Sequence, residues 1–317
     1  MELDSRILVL GHRGLVGSAL FRLLQKSGYS QVMTFDRERV DLRDQSETRK
    51  AFAEAQPEYV FLAAARVGGI VANSSKPADF IYDNVMISAN VLDCCRTQSV
   101  KKVLMLGSTC IYPKFAPQPI KEDSLLTGQL EPTNQWYATA KIAGIKMAQA
   151  FRRQHGLRAI SAMPTNLYGP NDNFDLTTSH VLPALIRKMH EAKLSNSPQV
   201  EIWGTGSPRR EFLHVDDLAR ALILLMLRYE EEEIINVGCG EDQTIRELAE
   251  SIKEVVGYPG ELYFDTSKPD GTPVKRTDSS RIFALGWKPE ISLAEGLRSA
   301  YENYKETCLA ASTTTSA

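Results

Sequence analysis

The strongest constraint on how this chain can fold lies near its N-terminus. An apolar run at 7–10 leads without a break into Gly11-His12-Arg13-Gly14-Leu15-Val16-Gly17 and then into an amphipathic stretch ending at Lys26. Glycines spaced GxxGxxG at a strand-to-helix junction let the chain turn tightly and let a pyrophosphate approach the backbone. The helix N-terminus behind them offers free N–H groups and a partial positive charge. A tight βα turn without a ligand would use the same glycines, but their place at the first such junction points to a dinucleotide.

The same rhythm continues. Candidate strands at 32–35, 59–63, 102–106 and 159–163 alternate with helical patterns at 45–55, 78–96 and 136–154. Alternation of this kind means βαβ units with right-handed crossovers, so the expected class is α/β, a doubly wound parallel sheet of Rossmann type. Beyond Pro170 helical patterns at 180–192, 216–229, 244–256 and 293–304 mix with short strands near 200–203 and 234–237. We therefore expect a nucleotide-binding domain over 1–170, a smaller mixed α/β substrate lobe over 171–309 that partly interleaves with it, and a small-residue flexible tail at 310–317.

Composition excludes several functions. Lys plus Arg number 37 against 39 Asp plus Glu, a net charge of −2 that does not suit a nucleic-acid partner. The greasiest stretch, 221–227, is far shorter than the ~20 residues of a membrane span. The N-terminus is too short and acidic for a signal peptide. Five cysteines without a CxxC pair read as reduced thiols in a cytoplasmic compartment, and we assign no metal site.

Which dinucleotide binds depends on the end of the second strand, Phe35-Asp36-Arg37. An acid there usually takes the ribose 2′-OH of NAD, whereas arginine accommodates the 2′-phosphate of NADP. Arg37 and Arg13 together outweigh Asp36, so NADP(H) is the expected cofactor.

Tyr137 and Lys141 stand at i and i+4, on one face of a helix. A neighbouring ammonium favours the phenolate, so the expectation is a Tyr137 pKa lowered from about 10. Ser108, just past the fourth strand, can bind the same substrate oxygen at the ligand edge of the sheet.

These residues, together with several longer segments, carry a resemblance. The segments include Gly11 to Ala19, Ala63-Ala64-Ala65-Arg66-Val67-Gly68-Gly69-Ile70 and Ser108-Thr109-Cys110-Ile111-Tyr112-Pro113-Lys114. They continue with Leu130-Glu131-Pro132-Thr133-Asn134, Met163-Pro164-Thr165-Asn166-Leu167-Tyr168-Gly169-Pro170, Arg210-Glu211-Phe212-Leu213-His214-Val215-Asp216-Asp217 and Lys268-Pro269-Asp270-Gly271-Thr272-Pro273. The chain resembles the extended short-chain dehydrogenase/reductase family over roughly residues 5–305. Within it, the similarity is to the 3,5-epimerase/4-reductases that convert GDP-4-keto-6-deoxy-D-mannose to GDP-L-fucose.

The resemblance implies a catalytic set of Ser108, Tyr137, Lys141, Cys110 and His180. Cys110 and His180 would be the base and the acid of epimerisation, with a thiol readily acidified beside a cation and an imidazole of pKa about 6.5. NADP(H) contacts are implied for Gly11, His12, Arg13, Gly14, Leu15, Val16, Gly17, Arg37, Leu42, Leu106, Gly107, Lys141, Pro164, Asn166, Leu167 and His180. Lys188, Trp203, Arg210 and Asp270 would hold the GDP-sugar, and the assembly would be a homodimer. The segment Val274-Lys275-Arg276 adds charge near that loop and reads equally well as a solvated face. Asp175-Leu176 departs from the His-Pro usual after Asn-Phe, Thr109 replaces a more usual Ser, and Arg66 stands where a Lys is usual. Another nucleotide-sugar epimerase/reductase of the same family and a non-catalytic NADP-binding sensor remain the alternatives; a 4,6-dehydratase is disfavoured because Thr109-Cys110-Ile111 supplies no carboxylate.

Overall fold

The computed structural model describes residues 1–268 and 270–314. Pro269 and residues 315–317, the end of the expected tail, lie outside the described residues. In chain order the strands are β1 Ile7–Leu10, β2 Val32–Thr34, β3 Tyr59–Leu62, β4 Lys102–Leu106, β5 Ala159–Pro164, β6 Asn166–Tyr168, β7 Gln199–Trp203, β8 Arg209–Arg210, β9 Phe212–His214, β10 Ile235–Val237, β11 Gln243–Thr244, β12 Glu261–Asp265 and β13 Val274–Lys275. The helices are α1 Leu15–Lys26, α2 Gln45–Ala55, α3 Ile70–Ser75, α4 Pro77–Thr97, α5 Gln135–His155, α6 Val181–Leu194, α7 Val215–Arg228, α8 Ile245–Val256, α9 Ser280–Ala284 and α10 Leu293–Thr314.

Six strands form one parallel sheet in the order β10-β5-β4-β3-β1-β2. The order reverses between β1 and β3, which opens a crevice at their carboxyl ends. Every residue of β1, β4 and β5 is buried, as expected of strands covered on both faces. One cluster, built on Leu20, Leu24, Leu218, Leu222 and Leu225, covers one face of the sheet; Phe52, Val91, Leu92, Ile145 and Ala148 belong to the cluster on the other. Burying each such side chain stabilises the fold by about 1.5–3 kcal/mol.

The sheet's sixth strand and α7, which packs in the same core as α1, come from beyond residue 170. Short sequence patterns could not assign Ile235–Val237 to this sheet, because strand pairing is a long-range choice. A third core, with Leu185, Ile186, Met189, Leu248 and Ile252, unites α6, α8 and α10 with β7 and β12. The last helix absorbs 310–314 from the expected tail.

Two polar devices tie distant segments of the chain together. Lys102 is 1% exposed, and its ammonium donates to the carbonyls of Leu225, Met226 and Tyr229 at 3.1, 2.8 and 2.6 Å. It thereby satisfies the C-terminal end of α7 from the sheet. Glu211 is fully buried, and its carboxylate accepts from Gly240 N–H at 2.7 Å, Thr277 N–H at 3.0 Å and Thr277 Oγ1 at 2.7 Å.

Candidate active site

The glycine turn is built by close backbone approach. Gly11 has φ +87°, and a Cβ there would lie 2.7 Å from the Ala64 nitrogen, so β1 and the chain after β3 meet with no room for a side chain. A Cβ on Gly17 would strike the Gly11 carbonyl oxygen. Gly14 is the N-cap of α1 without a side-chain cap, leaving the amides of Leu15, Val16 and Gly17 to face an anion. These features fit a dinucleotide pyrophosphate.

The acid beside it is already engaged. Asp36 pairs with Arg13 at 2.8 Å and lies 3.4 Å from His12 Nε2, while Arg13 also reaches Glu38 at 3.0 Å. Arg37 is exposed. Farther along the crevice, the Leu42 carbonyl accepts from Asn90 Nδ2 at 2.9 Å, which fixes that loop.

The chemistry gathers where β4 ends. Gly107 faces Met163, and a Cβ there would overlap the Met163 side chain. Ser108 is extended and caps a 3₁₀ turn, Thr109–Ile111, its Oγ accepting from Cys110 N–H at 3.3 Å. Cys110 is 8% exposed. On α5, the Lys141 ammonium donates to the Leu106 carbonyl at 2.7 Å and lies 5.7 Å from the centre of the Tyr137 ring. Ser108, Cys110, Tyr137 and Lys141 are thus brought together on two facing elements, of which the helical spacing indicated only the shared face of Tyr137 and Lys141.

Their ionisation differs from the expectation. Burial pushes the Tyr137 phenol up, with Cys110 adding to the effect, rather than the ammonium pulling it down. Burial also holds the Lys141 ammonium down to about 8. The Cys110 thiol is raised as well: burial outweighs the opposing pull of Lys275, Ser108 and Lys141. The i, i+4 rule finds the neighbours but contains no desolvation, which is the larger effect here.

His180 is the N-cap residue of α6, and its loop is held by the Gly69 N–H, which donates to the Thr178 carbonyl at 2.8 Å. Its imidazole is held below the usual histidine range by the surrounding protein and by Lys275. Asn166 spends its amide on the Glu211 carbonyl at 2.8 Å, pinning β6 to β9; Leu167 packs against the core, and Pro164 ends β5 beside Val237.

The expected GDP-sugar residues form a second group. Trp203 is 52% exposed, with the Lys188 and Lys268 ammoniums 6.0 and 5.7 Å from its ring. Asp270 uses both carboxylate oxygens on Thr205, at 2.7 and 2.9 Å. Burial lowers the Arg210 pKa against the pull of Glu131, and its guanidinium donates to the Arg209 carbonyl at 2.8 Å.

Sequence reasoning left several side chains of the cleft without a role. A small cavity is lined by Cys110, Lys114, Glu131, Asn134 and Lys275 among others. Lys114 pairs with Glu131 at 2.8 Å, and the buried Asn134 Oδ1 has no hydrogen-bond partner. The signal for Glu131 and Asn134 was present as a motif, whereas Lys275 was left open between charge near the substrate loop and a solvated face.

An anion-binding turn at the switch point of a doubly wound sheet, beside a Ser–Tyr–Lys set whose lysine is buried, defines a nucleotide-dependent epimerase or reductase. The chain belongs to the NAD dependent epimerase/dehydratase family, whose model matches residues 7–238, and within it to the family of the GDP-L-fucose synthases. It is 60% identical to probable GDP-L-fucose synthase 1 of Oryza sativa subsp. japonica, over 96% of this chain and 94% of that one. A GDP-L-fucose synthetase from Naegleria fowleri solved with NADP superposes with a TM-score of 0.90 at 30% identity, covering 97% of this chain and 96% of that one. A GDP-mannoheptose C4 reductase from Campylobacter jejuni with NADP bound gives 0.89 at 40% identity, with 96% and 99% covered. Among the described residues, no helix is long and apolar enough to cross a membrane.

Proposed function

We propose that this chain converts GDP-4-keto-6-deoxy-D-mannose to GDP-L-fucose, by epimerisation at C3 and C5 followed by NADPH-dependent reduction at C4. The observation that carries the reading is the burial of Cys110 beside Ser108, Tyr137 and Lys141, in a chain 60% identical to a GDP-L-fucose synthase. A 4-keto group acidifies the neighbouring C–H bonds. Cys110 takes the proton, the electron pair moves to O4, and His180 returns a proton on the opposite face. Ser108 and Tyr137 donate to the enolate oxygen. NADPH supplies a hydride to C4 when bound. Tyr137, kept as a neutral phenol by burial, then gives its proton to O4, and the nearby Lys141 ammonium offsets the charge left on the phenolate.

The amides behind Gly14, together with Arg13 and Arg37, would hold the pyrophosphate and the 2′-phosphate. Arg210 and Lys188 would take the GDP phosphates, Trp203 would stack on the guanine, and Asp270 would keep their loop closed. A free thiol base calls for a reducing compartment, so we place the chain in the cytoplasm. Tyr82 on α4 and Trp136 on α5, 62% and 44% exposed, support a homodimer through those helices, checked by sedimentation.

Incubation with GDP-4-keto-6-deoxymannose and NADPH in deuterated water tests the reading. The expected product is GDP-L-fucose labelled at C3 and C5. A product reduced at C4 with no label would reduce the chain to a C4 reductase, and NADPH binding without turnover would make it a sensor.

A further inference from the structure

Lys275 sits far from Cys110 in sequence, yet the fold secures the two in one cavity. β13 is laced to the loop that follows Cys110. Ile120 N–H donates to the Arg276 carbonyl at 2.8 Å, Arg276 N–H donates to Gln118 Oε1 at 3.0 Å, and Gln118 Nε2 donates to the Val274 carbonyl at 3.1 Å. Both chain neighbours of Lys275 are therefore fixed to that loop. Two residues on, Thr277 is locked by the buried Glu211 carboxylate. The loop itself is fixed from the sheet, since Asn236 accepts from Tyr112 Oη at 2.6 Å and donates to the Ile120 carbonyl at 3.0 Å.

The ammonium has no acceptor of its own among the described residues, unlike Lys114 in the same cavity, which is paired with Glu131. Lys275 is in register with Arg210 on β8; burial and Arg210 hold its ammonium below the usual lysine range, while Cys110 and Glu131 favour the charge. Cys110 faces Ser108 on its own segment, Tyr137 and Lys141 on α5, and Lys275 on β13. Lys141 is occupied by the Leu106 carbonyl, which leaves Lys275 as the cation free to answer a charge on sulfur. His180 also feels Lys275, so one ammonium bears on both groups of the proposed acid–base pair.

We propose that Lys275 is the electrostatic partner of Cys110: its unpaired ammonium, clamped in the thiol's cavity by β13, stabilises the thiolate and so allows proton abstraction at C3 and C5. Lys275 acts through Cys110, not on the reacting carbon, and the proposal rests on the reading of Cys110 as the base.

The test uses the NADP-loaded enzyme. The rate of Cys110 alkylation by iodoacetamide is followed against pH by mass spectrometry in wild type, Lys275→Met and Lys275→Arg. Removing the ammonium is expected to raise the thiol's apparent pKa by about one unit, slowing alkylation near neutral pH roughly tenfold, with Lys275→Arg restoring most of it. In parallel, solvent deuterium exchange at C3 and C5 is measured with NADP⁺, so that no reduction intervenes. Exchange should fall about as far in Lys275→Met. An unchanged alkylation profile in Lys275→Met, with NADPH binding intact, overturns the role of Lys275. Wild-type exchange in Cys110→Ser instead overturns Cys110 as the base and leaves the alkylation result to stand alone. If Lys275→Met fails to bind NADPH, Lys275→Gln and Lys275→Arg give the same comparison, and equal profiles in those two overturn the proposal.

Discussion

Gly69 and Ser179 meet backbone to backbone: a Cβ on Gly69 would lie 2.6 Å from the Ser179 carbonyl oxygen. Gly69 has an extended backbone, so the requirement is space, not a left-handed turn. The contact fixes the residue immediately before His180. Gly69→Ala should push that carbonyl away and misplace the imidazole. Because a misplacement of about 1 Å can cost on the order of 100-fold, exchange at C3 and C5 should fall by 10- to 100-fold. NADPH affinity, measured by fluorescence titration, should stay near wild type. Equal loss of both would show general unfolding of the cleft.

The Arg13–Asp36 pair bears on cofactor choice. Asp36 is neutralised by Arg13, so it does not repel a 2′-phosphate as a free acid would. Arg37→Ala should weaken NADPH relative to NADH by roughly tenfold or more, the worth of one charge-assisted hydrogen bond. Asp36→Ala should shift the ratio further toward NADPH by releasing Arg13. The ratio of kcat/KM for the two cofactors reads both.

Lys141 carries a pH signature. Its folded pKa is about 8, below the ordinary lysine value, because burial disfavours the charged form. Below about pH 8 both folded and unfolded chains hold the proton and the burial cost is fully present. Between about 8 and 10.5 the unfolded chain binds more protons, so this group's contribution to stability improves as pH rises. Lys141→Met should remove that slope. The difference in urea-unfolding free energy between the two proteins, followed from pH 7 to 10.5, is the measurement.

Glu211 organises the strand that carries Lys275. Glu211→Ala would leave buried donors of Gly240 and Thr277 without an acceptor, at about 1–3 kcal/mol for each. The urea midpoint should drop, and alkylation of Cys110 should slow as β13 loosens. A lower midpoint with an unchanged thiol profile would separate stability from the electrostatic role.

Much of this molecule was legible from short-range pattern. The glycine turn, the five alternating strands of the first half and the Tyr137–Lys141 face follow from local spacing, and spacing survives folding. Most helix limits moved by a residue or two, as at Val181–Leu194, where the pattern suggested 180–192, but the last helix runs to Thr314 where the pattern stopped at 304. The pairing of Ile235–Val237 with β5 was not legible, because nothing in that short run names its neighbour.

The sequence by itself determined the class of fold, the glycine turn at the first strand–helix junction, and the shared face of Tyr137 and Lys141 on α5. Tertiary structure alone decided their ionisation and their company. It buried Cys110 and Lys141 and half-buried Tyr137, so that desolvation sets the direction of all three. It engaged Asp36 with Arg13, and it placed Lys275, which the sequence left open between site charge and solvated face, in the cavity of Cys110. Burial and long-range proximity are properties of the closed chain, so no window of residues can state them in advance.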